Sequence, residues 1–338
     1  MRGEFDFIAS VRRRVRALPG RRTAGLVAGI GDDGAIMRPR AGHDLIITAD
    51  LLVEEIDFRL EWTAPRLLGH KALAVSLSDI AAMGARPRWA LLSLGIPDRV
   101  WKGRFLDEFY DGFLALAADH EVTLIGGDLS RAPARLVIDS IVVGEVARGR
   151  AARRAGARPG DLIYVTGTLG GAAAGLRLLE SGARLTRGWG ARTRTAARDG
   201  LLLRQLRPMP RLAWGRLLGE KKLATAMIDL SDGLSSDLAH LCRESAVGAV
   251  IDARRIPVNA AIERQRRPDW DPQALALHGG EDFELLFTVR PRRAAQVPQE
   301  IDGVPATCIG RISDTAGRIM LVSDGKARRL AAQGFTHF

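Results

Sequence analysis

The chain has 338 residues, 46% of them apolar, and a formal net charge of +11. This length allows two domains, and the apolar content can fill their cores, so a disordered chain is excluded. The two cysteines, Cys242 and Cys308, lie far apart, which excludes a disulfide framework and favours a reducing compartment. Acidic residues near the N-terminus argue against a signal peptide, and no apolar run approaches the ~20 residues of a membrane helix. We therefore predict a cytoplasmic protein without a membrane partner.

The basic charge is the one feature that would favour a nucleic-acid partner. Only five of the 50 basic residues are lysines, and the arginines are spread along the chain. The densest cluster, 184–207, contains no recognisable nucleic-acid motif. We therefore expect no nucleic-acid partner, although the arginines could attract anionic substrates over a distance.

Strands and helices alternate in the first half of the chain. Apolar patterning predicts strands at 45–48, 89–94, 122–125 and 136–143 and helices at 64–85 and 100–119. Such an order predicts an α/β fold, in which the ends of strands present the chemistry.

A boundary is predicted within 144–160, a stretch rich in Arg, Ala and Gly, and it gives two domains, 1–147 and 148–338. The second half is predicted to contain strands at 162–165 and 227–230, a helix at 172–180, an irregular insertion at 184–200, and a helix after residue 230. Ser231 or Asp232 would cap that last helix, whose apolar stripe is Leu234, Leu238 and Leu241.

The glycine-rich loop 166–171 leads from a predicted strand into a predicted helix. Backbone N–H groups at such a helix start could hold an anion, but an ordinary strand–helix turn explains the loop equally well. The chain has no G-x-x-x-x-G-K-[ST] sequence, so a P-loop enzyme is excluded.

Seven short acidic or glycine-rich segments are the most informative feature of the chain: 31–34, 48–50, 78–79, 126–128, 166–171, 229–233 and 279–282. Carboxylates beside glycine suit hard cations that bring substrate phosphates with them. Turn formation would explain about half of these segments taken singly. It does not explain Asp79, which lies among apolar residues of a predicted helix and should need a cationic partner. We therefore predict a site for several metal ions and the phosphates of a nucleotide.

The motifs together resemble those of thiamine-monophosphate kinases. The matching segments are 29–33, 71–85, 126–128, 165–170, 228–234, 279–287 and 334–338. The helix motif around Asp79 and the Gly-Gly-Glu-Asp motif are the specific ones. The wider superfamily includes aminoimidazole ribonucleotide synthetase, selenophosphate synthetase and a hydrogenase maturation factor, all of which use ATP.

The resemblance implies transfer of the ATP γ-phosphoryl group to thiamine phosphate, dependent on several Mg²⁺ ions. Transfer would be direct, so no covalent nucleophile is expected. It also implies a two-domain α/β (α+β) fold like that of aminoimidazole ribonucleotide synthetase, with an N-terminal domain that forms a homodimer through its sheet and a C-terminal α/β domain that completes the active site.

The resemblance also assigns residues. The implied magnesium ligands are Asp33, Thr48, Asp50, Asp79, Asp128, Asp229 and Asp232. The implied ATP contacts are Tyr110, Gly127, Asp128, Arg154 and Ser231. The implied substrate contacts are Asp57, Glu281 and Phe335, of which Asp57 stands where many relatives have a histidine. Ala49 replaces a frequent threonine, which would remove a hydroxyl ligand from one metal ion.

Two other functions compete with the kinase. An ATP-dependent ligase or cyclase of the same superfamily would use formylglycinamidine ribonucleotide instead of thiamine phosphate. A scaffold that binds a nucleotide without catalysis would have no reason to keep so many carboxylates beside glycines. A protein that catalyses phosphoryl transfer must mainly position the substrates and neutralise their charge. The acidic motifs supply carboxylates that can bind the metal ions needed for this neutralisation.

Overall fold

The computed structural model describes residues 4–18, 25–30, 34–185, 197–265 and 267–335, without the side chains of Glu4 and Phe5. The chain forms two compact units. The first comprises Met1–Ile80 and Arg86–Gly149, and the second comprises Ala81–Ala85 and Arg150–Phe338. Both units combine helices with a β-sheet, which confirms the predicted mixed fold class. None of the described helices is both long and apolar enough to cross a membrane.

The first unit contains four helices and seven strands among its described residues. The helices are α1 (Glu4–Ala17), α2 (Pro65–Ala82), α3 (Asp98–Trp101) and α4 (Phe105–Asp119). The strands are β1 (Leu26–Ala28), β2 (Ile36–Met37), β3 (His43–Val53), β4 (Arg86–Ile96), β5 (Thr123–Gly126), β6 (Leu129–Arg131) and β7 (Val137–Ala147). The sheet order is β3-β7-β4-β5, with β6 on β4 and the β1–β2 hairpin separate.

Strand β3 lies at the edge of this sheet and pairs antiparallel with β7 along its whole length. Side chains alternate between the two faces of a strand. Leu45, Ile47 and Leu51 share one face and are 39%, 67% and 59% exposed. Thr48 and Asp50 lie on the other face, toward α2. The alternation therefore separates an exposed apolar face from the face that carries Thr48 and Asp50.

Helices α2 and α4 pack so closely that their backbones touch at two glycines. A Cβ atom on Gly69 would lie 1.8 Å from the carbonyl oxygen of Phe109, and one on Gly112 would lie 1.8 Å from that of Arg66. Any side chain at either position would push the two helices apart.

The second unit contains six α-helices, two short 3₁₀ helices (Ala253–Arg255 and Pro291–Gln296) and eight strands among its described residues. The helices are α5 (Gly171–Glu180), α6 (Ala197–Leu206), α7 (Leu212–Glu220), α8 (Leu234–Glu244), α9 (Ala260–Arg264) and α10 (Pro272–His278). The strands are β8 (Leu162–Thr166), β9 (Ala224–Asp229), β10 (Gly248–Asp252), β11 (Leu285–Val289), β12 (Glu300–Ile301), β13 (Val304–Ser313), β14 (Ile319–Ser323) and β15 (Lys326–Arg329).

Helices cover both faces of the sheet in the second unit. The strand order is β15-β14-β10-β13-β8-β11-β9, with β12 on β13, and only the β10–β14 pair is parallel among these strands. Leu286 packs with the α8 stripe on one face. Leu285 and Phe287 pack with Trp214 of α7 on the other face. The apolar stripe predicted from Leu234, Leu238 and Leu241 is confirmed as core.

Three local predictions were wrong. The helix predicted at 100–119 is interrupted, because α3 ends at Trp101 and Gly103 has a φ of +107°. Residues 197–200 begin α6 and are not irregular, while 186–196 lie outside the described residues. The residue that caps α8 is Gly233, and neither Ser231 nor Asp232 does so. Asp237, from the first turn of α8, instead accepts hydrogen bonds from the N–H groups of residues 232 and 233.

We expect Gly69→Ala to destabilise the protein by about 1–3 kcal/mol, because the new methyl group meets the backbone of α4 and not a flexible side chain. Denaturant unfolding followed by circular dichroism measures this change. Gly200→Ala is the matched control, since Gly200 also lies in a helix but has no neighbour within 4 Å of a new Cβ. It should be neutral or stabilising by up to about 1 kcal/mol. Equal effects of the two substitutions would contradict the close approach of α2 and α4.

Candidate functional site

A group of polar side chains joins β3 to α2 in the first unit. The Thr48 hydroxyl donates a hydrogen bond to Oδ2 of Asp79, and Asp50 lies on the same strand face. Asp79 is only partly buried, although it lies among buried residues of α2. The structure thus brings together three of the residues that were predicted to bind metal. The sequence suggested a cationic partner for Asp79, and the hydrogen bond described above comes instead from the hydroxyl group of Thr48.

Asp50 has the electrostatic properties of a cation ligand. Burial and the neighbouring carboxylate of Asp79 raise the pKa of Asp50 to about 6. Its Oδ2 atom is buried and has no hydrogen-bond partner. A buried oxygen with negative charge and no partner is costly. A magnesium ion would pair with this oxygen, so the residues present fit such an ion.

Ala49 does not remove a metal ligand, contrary to the sequence-based interpretation. It alternates with Thr48 and Asp50 along β3, so its side chain lies on the opposite face of the sheet and is exposed. A threonine at this position would direct its hydroxyl away from Asp50 and Asp79.

The segment at residues 126–128 places Asp128 at the end of β5. Gly127 has a φ of +143°, and a Cβ there would lie 1.9 Å from the carbonyl oxygen of Leu92, so only glycine fits. The Asp128 carbonyl accepts a hydrogen bond of 2.9 Å from the N–H of Leu94. Gly127 and Asp128 are both exposed, as ligand contact would require. Asp33 lies outside the described residues.

Contacts within the protein account for the positions of the Tyr110 and Asp57 side chains, and no ligand is needed to explain them. Tyr110 is 4% exposed, its ring packs on Phe7, and burial raises the pKa of its hydroxyl. The Asp57 carboxylate accepts a hydrogen bond of 2.7 Å from the N–H of Val53 and so closes the turn after β3. Their contacts with ATP and with substrate stay predictions.

The second unit holds another group of carboxylates, at the end of β9 and the start of α8. Burial and the charges of Asp229 and Asp232 raise the pKa of Asp237 to about 8. Asp237 was not predicted, although its place in the first turn of a helix could have indicated it. The three carboxylates repel one another, and a bound cation would relieve that repulsion.

Three segments of the second unit pair by backbone hydrogen bonds and bring four predicted residues together. The N–H of Glu281 donates to the carbonyl of Ser231 at 2.8 Å. The N–H of Phe335 donates to the carbonyl of Asp232 at 3.2 Å. Phe335 is 51% exposed, which leaves its ring accessible to a ligand. The predicted ATP, metal and substrate residues 231, 232, 281 and 335 are therefore neighbours.

Arg154 is exposed in the same unit. Its carbonyl accepts a hydrogen bond of 3.0 Å from the Ser245 hydroxyl. Its charge lies close enough to His240 to contribute to the lowered pKa of that imidazole, which is due mainly to burial and then to Arg243. The exposed guanidinium fits a contact with phosphate.

The glycine loop 166–171 binds a carboxylate side chain of the same protein. The Asp282 carboxylate accepts hydrogen bonds from the N–H groups of Gly170 at 2.5 Å and Ala172 at 3.1 Å, at the start of α5. Burial raises the pKa of Asp282 to about 6, against the opposing effect of Arg204. The sequence left open whether this helix start binds a phosphate or is an ordinary turn. In the structure it binds the carboxylate of Asp282.

A buried ionic network lies behind this loop. Glu284 is fully buried and accepts hydrogen bonds from Nε and Nη2 of Arg211, at 2.5 and 2.6 Å, and from Arg204 at 3.0 Å. Burial alone would raise the pKa of Glu284, but the two guanidinium groups hold it below its ordinary value. Sequence reasoning missed both arginines because nothing in a single sequence separates them from the many exposed ones.

No three His, Cys, Asp or Glu side chains in the described part of the chain lie close enough together to hold one metal ion. Magnesium commonly uses one or two carboxylates and completes its shell with water and substrate phosphates. The paired carboxylates Asp50 and Asp79, and the group around Asp237, match that requirement.

Family models match most of the chain. The model described as AIR synthase related protein, N-terminal domain, matches residues 31–146, and the corresponding C-terminal domain model matches residues 158–322. Thiamine-monophosphate kinase of Escherichia coli (strain K12) is 41% identical over 99% of this chain and 98% of the relative. The Bacillus subtilis (strain 168) enzyme of the same name is 35% identical over 99% of both chains.

Solved structures are similar over nearly the whole chain. A thiamine-monophosphate kinase from Stenotrophomonas maltophilia K279a has a TM-score of 0.81 and 40% identity, and the match covers 96% of this chain and 98% of the other. A structure of AaThiL complexed with AMPPCP and TMP has a TM-score of 0.76 and 29% identity, and the match covers 99% and 97% of the two chains.

Proposed function

This chain belongs to the thiamine-monophosphate kinase family, and from that premise we infer that it transfers the γ-phosphoryl group of ATP to thiamine phosphate, giving thiamine diphosphate and ADP. The main support for this conclusion is the 41% identity to thiamine-monophosphate kinase of Escherichia coli, over 98% of the length of that enzyme. The solved relative that holds AMPPCP together with TMP supports the same pair of substrates.

We propose that carboxylates of both units bind magnesium. The ligands are Asp33, Asp50, Asp79 and Asp128, with Thr48, in the first unit and Asp229 and Asp232 in the second. Bound magnesium supplies positive charge against the phosphates of the two substrates. The orphaned oxygen of Asp50 supports this assignment.

The ATP contacts are proposed at Gly127, Asp128, Arg154 and Ser231, with Tyr110 as a further prediction that its burial does not support. Substrate contacts are proposed at Glu281 and Phe335, and Asp57 stays a prediction. The chain's own residues then bind and orient the two anions, so that the phosphate oxygen of thiamine phosphate faces the γ-phosphorus. The exposed ring of Phe335 offers a surface for the aromatic rings of the substrate.

Product analysis tests the proposed function. The purified protein, mixed with ATP, magnesium and thiamine phosphate, should form thiamine diphosphate and ADP in equal amounts. Consumption of ATP that requires formylglycinamidine ribonucleotide instead would support the ligase or cyclase. Absence of turnover with either compound would support a scaffold.

We expect ATP binding to depend on magnesium, because the chain has no P-loop lysine and phosphate charge must be met mainly by metal ions. Titration calorimetry with magnesium and with a chelator compares the two affinities. A loss of about 10²-fold or more in the chelator is expected, since at least one close charge interaction disappears. Equal affinities would mean that arginines such as Arg154 hold the phosphates instead.

We propose a homodimer formed through the edge strand β3 and its exposed apolar face. Large apolar side chains are strongly exposed on this face and on the β1–β2 hairpin: Leu45, Ile47, Leu51, Val27 and Ile36. Exposed apolar patches of this kind mark protein interfaces. The predicted cytoplasmic location stays a prediction, as does the expected lack of a nucleic-acid partner.

Ile47→Glu should convert the dimer into a monomer, because a charge replaces the most exposed of these apolar side chains. Light scattering after size exclusion measures the mass. Met209→Glu is the control, since Met209 is also exposed, at 40%, but lies in the second unit. A wild-type monomer, or an Ile47→Glu dimer of unchanged stability, would contradict the interface.

A further inference from the structure

We propose that Gln205 is a positioning residue for the substrate, because its side-chain amide fixes the carboxylate of Glu281. The inference rests on the proposed function, in which Glu281 contacts thiamine phosphate. No sequence motif indicated Gln205, which lies in the last turn of α6.

The backbone of Glu281 is fixed by its own hydrogen bond, but its side chain needs a further contact to hold the carboxylate in one position. Its φ of +65° is uncommon for a residue other than glycine, and such conformations concentrate at functional sites. Its N–H is bound to the carbonyl of Ser231 at 2.8 Å. A glutamate side chain still has several rotatable bonds beyond Cα. Nε2 of Gln205 donates a hydrogen bond to Oε2 of Glu281 and removes much of that freedom.

Gln205 is itself held rigidly. Its side chain is 5% exposed. The preceding residue, Arg204, donates to the carbonyl of Thr168 at 2.9 Å and to Glu284 at 3.0 Å. These bonds tie the end of α6 to the loop before α5 and to the segment between Glu281 and β11. A positioning residue needs such support, because a loosely held donor would not fix its acceptor.

The chemistry of an amide suits this task better than that of a cationic donor. One N–H bond leaves further lone pairs on the two oxygens of Glu281. The amide is neutral, so the carboxylate keeps its full negative charge. Thiamine phosphate carries a cationic thiazolium ring and an aminopyrimidine N–H₂ group, and both favour an ionised carboxylate. Arginine or lysine at position 205 would hold Glu281 but would also cancel the charge that attracts the substrate.

Steady-state kinetics of the full chain tests the proposal with Gln205→Leu, which removes the amide at similar volume. We expect the KM for thiamine phosphate to rise about ten-fold, as for loss of one hydrogen bond to a charged group. The KM for ATP and the Tm should change little. Gln205→Glu, which keeps the shape and loses the donor, should give the same pattern even if the leucine variant folds poorly. Gln273→Leu is the matched control, because the Gln273 amide donates to a backbone carbonyl, that of Ala253 at 3.3 Å.

A double variant separates positioning from general packing. In a Glu281→Gln background, Gln205→Leu should raise the KM for thiamine phosphate no further. Effects that add, or an equal rise of both KM values, would overturn the proposal. Lack of any thiamine-phosphate-dependent ADP formation by the wild-type protein would reject the proposed function itself, whereas an active wild type with an unchanged KM in Gln205→Leu would reject only the role of Gln205.

Discussion

Asp50→Asn should lower kcat by about 10²-fold or more, because it removes a negative charge from the proposed magnesium site. The same substitution should raise the Tm measured in a chelator. The pKa of Asp50 is raised to about 6 in the folded state, so its ionised form opposes folding at neutral pH when no cation is present. A gain of roughly 2–4 °C would correspond to about 1 kcal/mol in a unit of this size.

Opposite changes in activity and stability distinguish a cation ligand from a structural aspartate. Asp44→Asn is the control on the same strand and the same face, where the carboxylate accepts a hydrogen bond from the N–H of Gly149 at 2.8 Å. It should leave kcat nearly unchanged and should not raise the Tm. Magnesium should raise the Tm of the wild-type protein and have a smaller effect on Asp50→Asn. Normal turnover of Asp50→Asn at saturating magnesium would remove Asp50 from the site.

Glu284→Gln should destabilise the second unit by about 3–5 kcal/mol, because it leaves two largely buried guanidinium groups without their shared counter-charge. Glu284 is fully buried and takes hydrogen bonds from Arg204, Arg211 and the Thr166 hydroxyl. Equilibrium unfolding in urea, followed in the near and far ultraviolet, measures the change. The loss of stability arises from buried charges that remain without a partner. Arg211→Ala, which removes one of the two guanidinium groups that neutralise Glu284, should therefore also destabilise the protein strongly.

Glu220→Gln provides the comparison at the surface. Glu220 pairs with Arg216 on α7 at 3.1 Å, and both side chains are more than half exposed. Exposed pairs of this spacing contribute about 0.3–0.5 kcal/mol. A similar loss for Glu220→Gln and Glu284→Gln would mean that the buried network is open to water.

The sequence was most informative where a pattern had one physical interpretation. The alternation of strands and helices and the stripe of Leu234, Leu238 and Leu241 correctly predicted core elements. The family resemblance implied that Asp50 and Asp79 share one site, and the structure places the two carboxylates close together. The length of β3, by contrast, exceeded the prediction, since pairing with β7 extends it beyond its apolar residues.

Other features depend on contacts between distant parts of the chain. The pairing of Glu284 with Arg204 and Arg211 joins residues 73 or more positions apart. The occupant of the glycine loop is Asp282, more than 100 positions away, so the loop sequence alone left phosphate and protein equally possible. Ala49 was misjudged because a motif compares residue types, whereas the direction of a side chain follows from the strand.

The carboxylate at the start of α5 has a consequence for how the protein responds to its surroundings. Asp282 is covalently tethered, so it competes for those N–H groups at a local concentration that no free phosphate in solution can match. Two N–H groups at the start of helix α5 are therefore satisfied by the protein itself, whether nucleotide is abundant or scarce. We therefore expect inorganic phosphate not to compete for these N–H groups, so that the phosphates of the two substrates must bind to other residues of the protein.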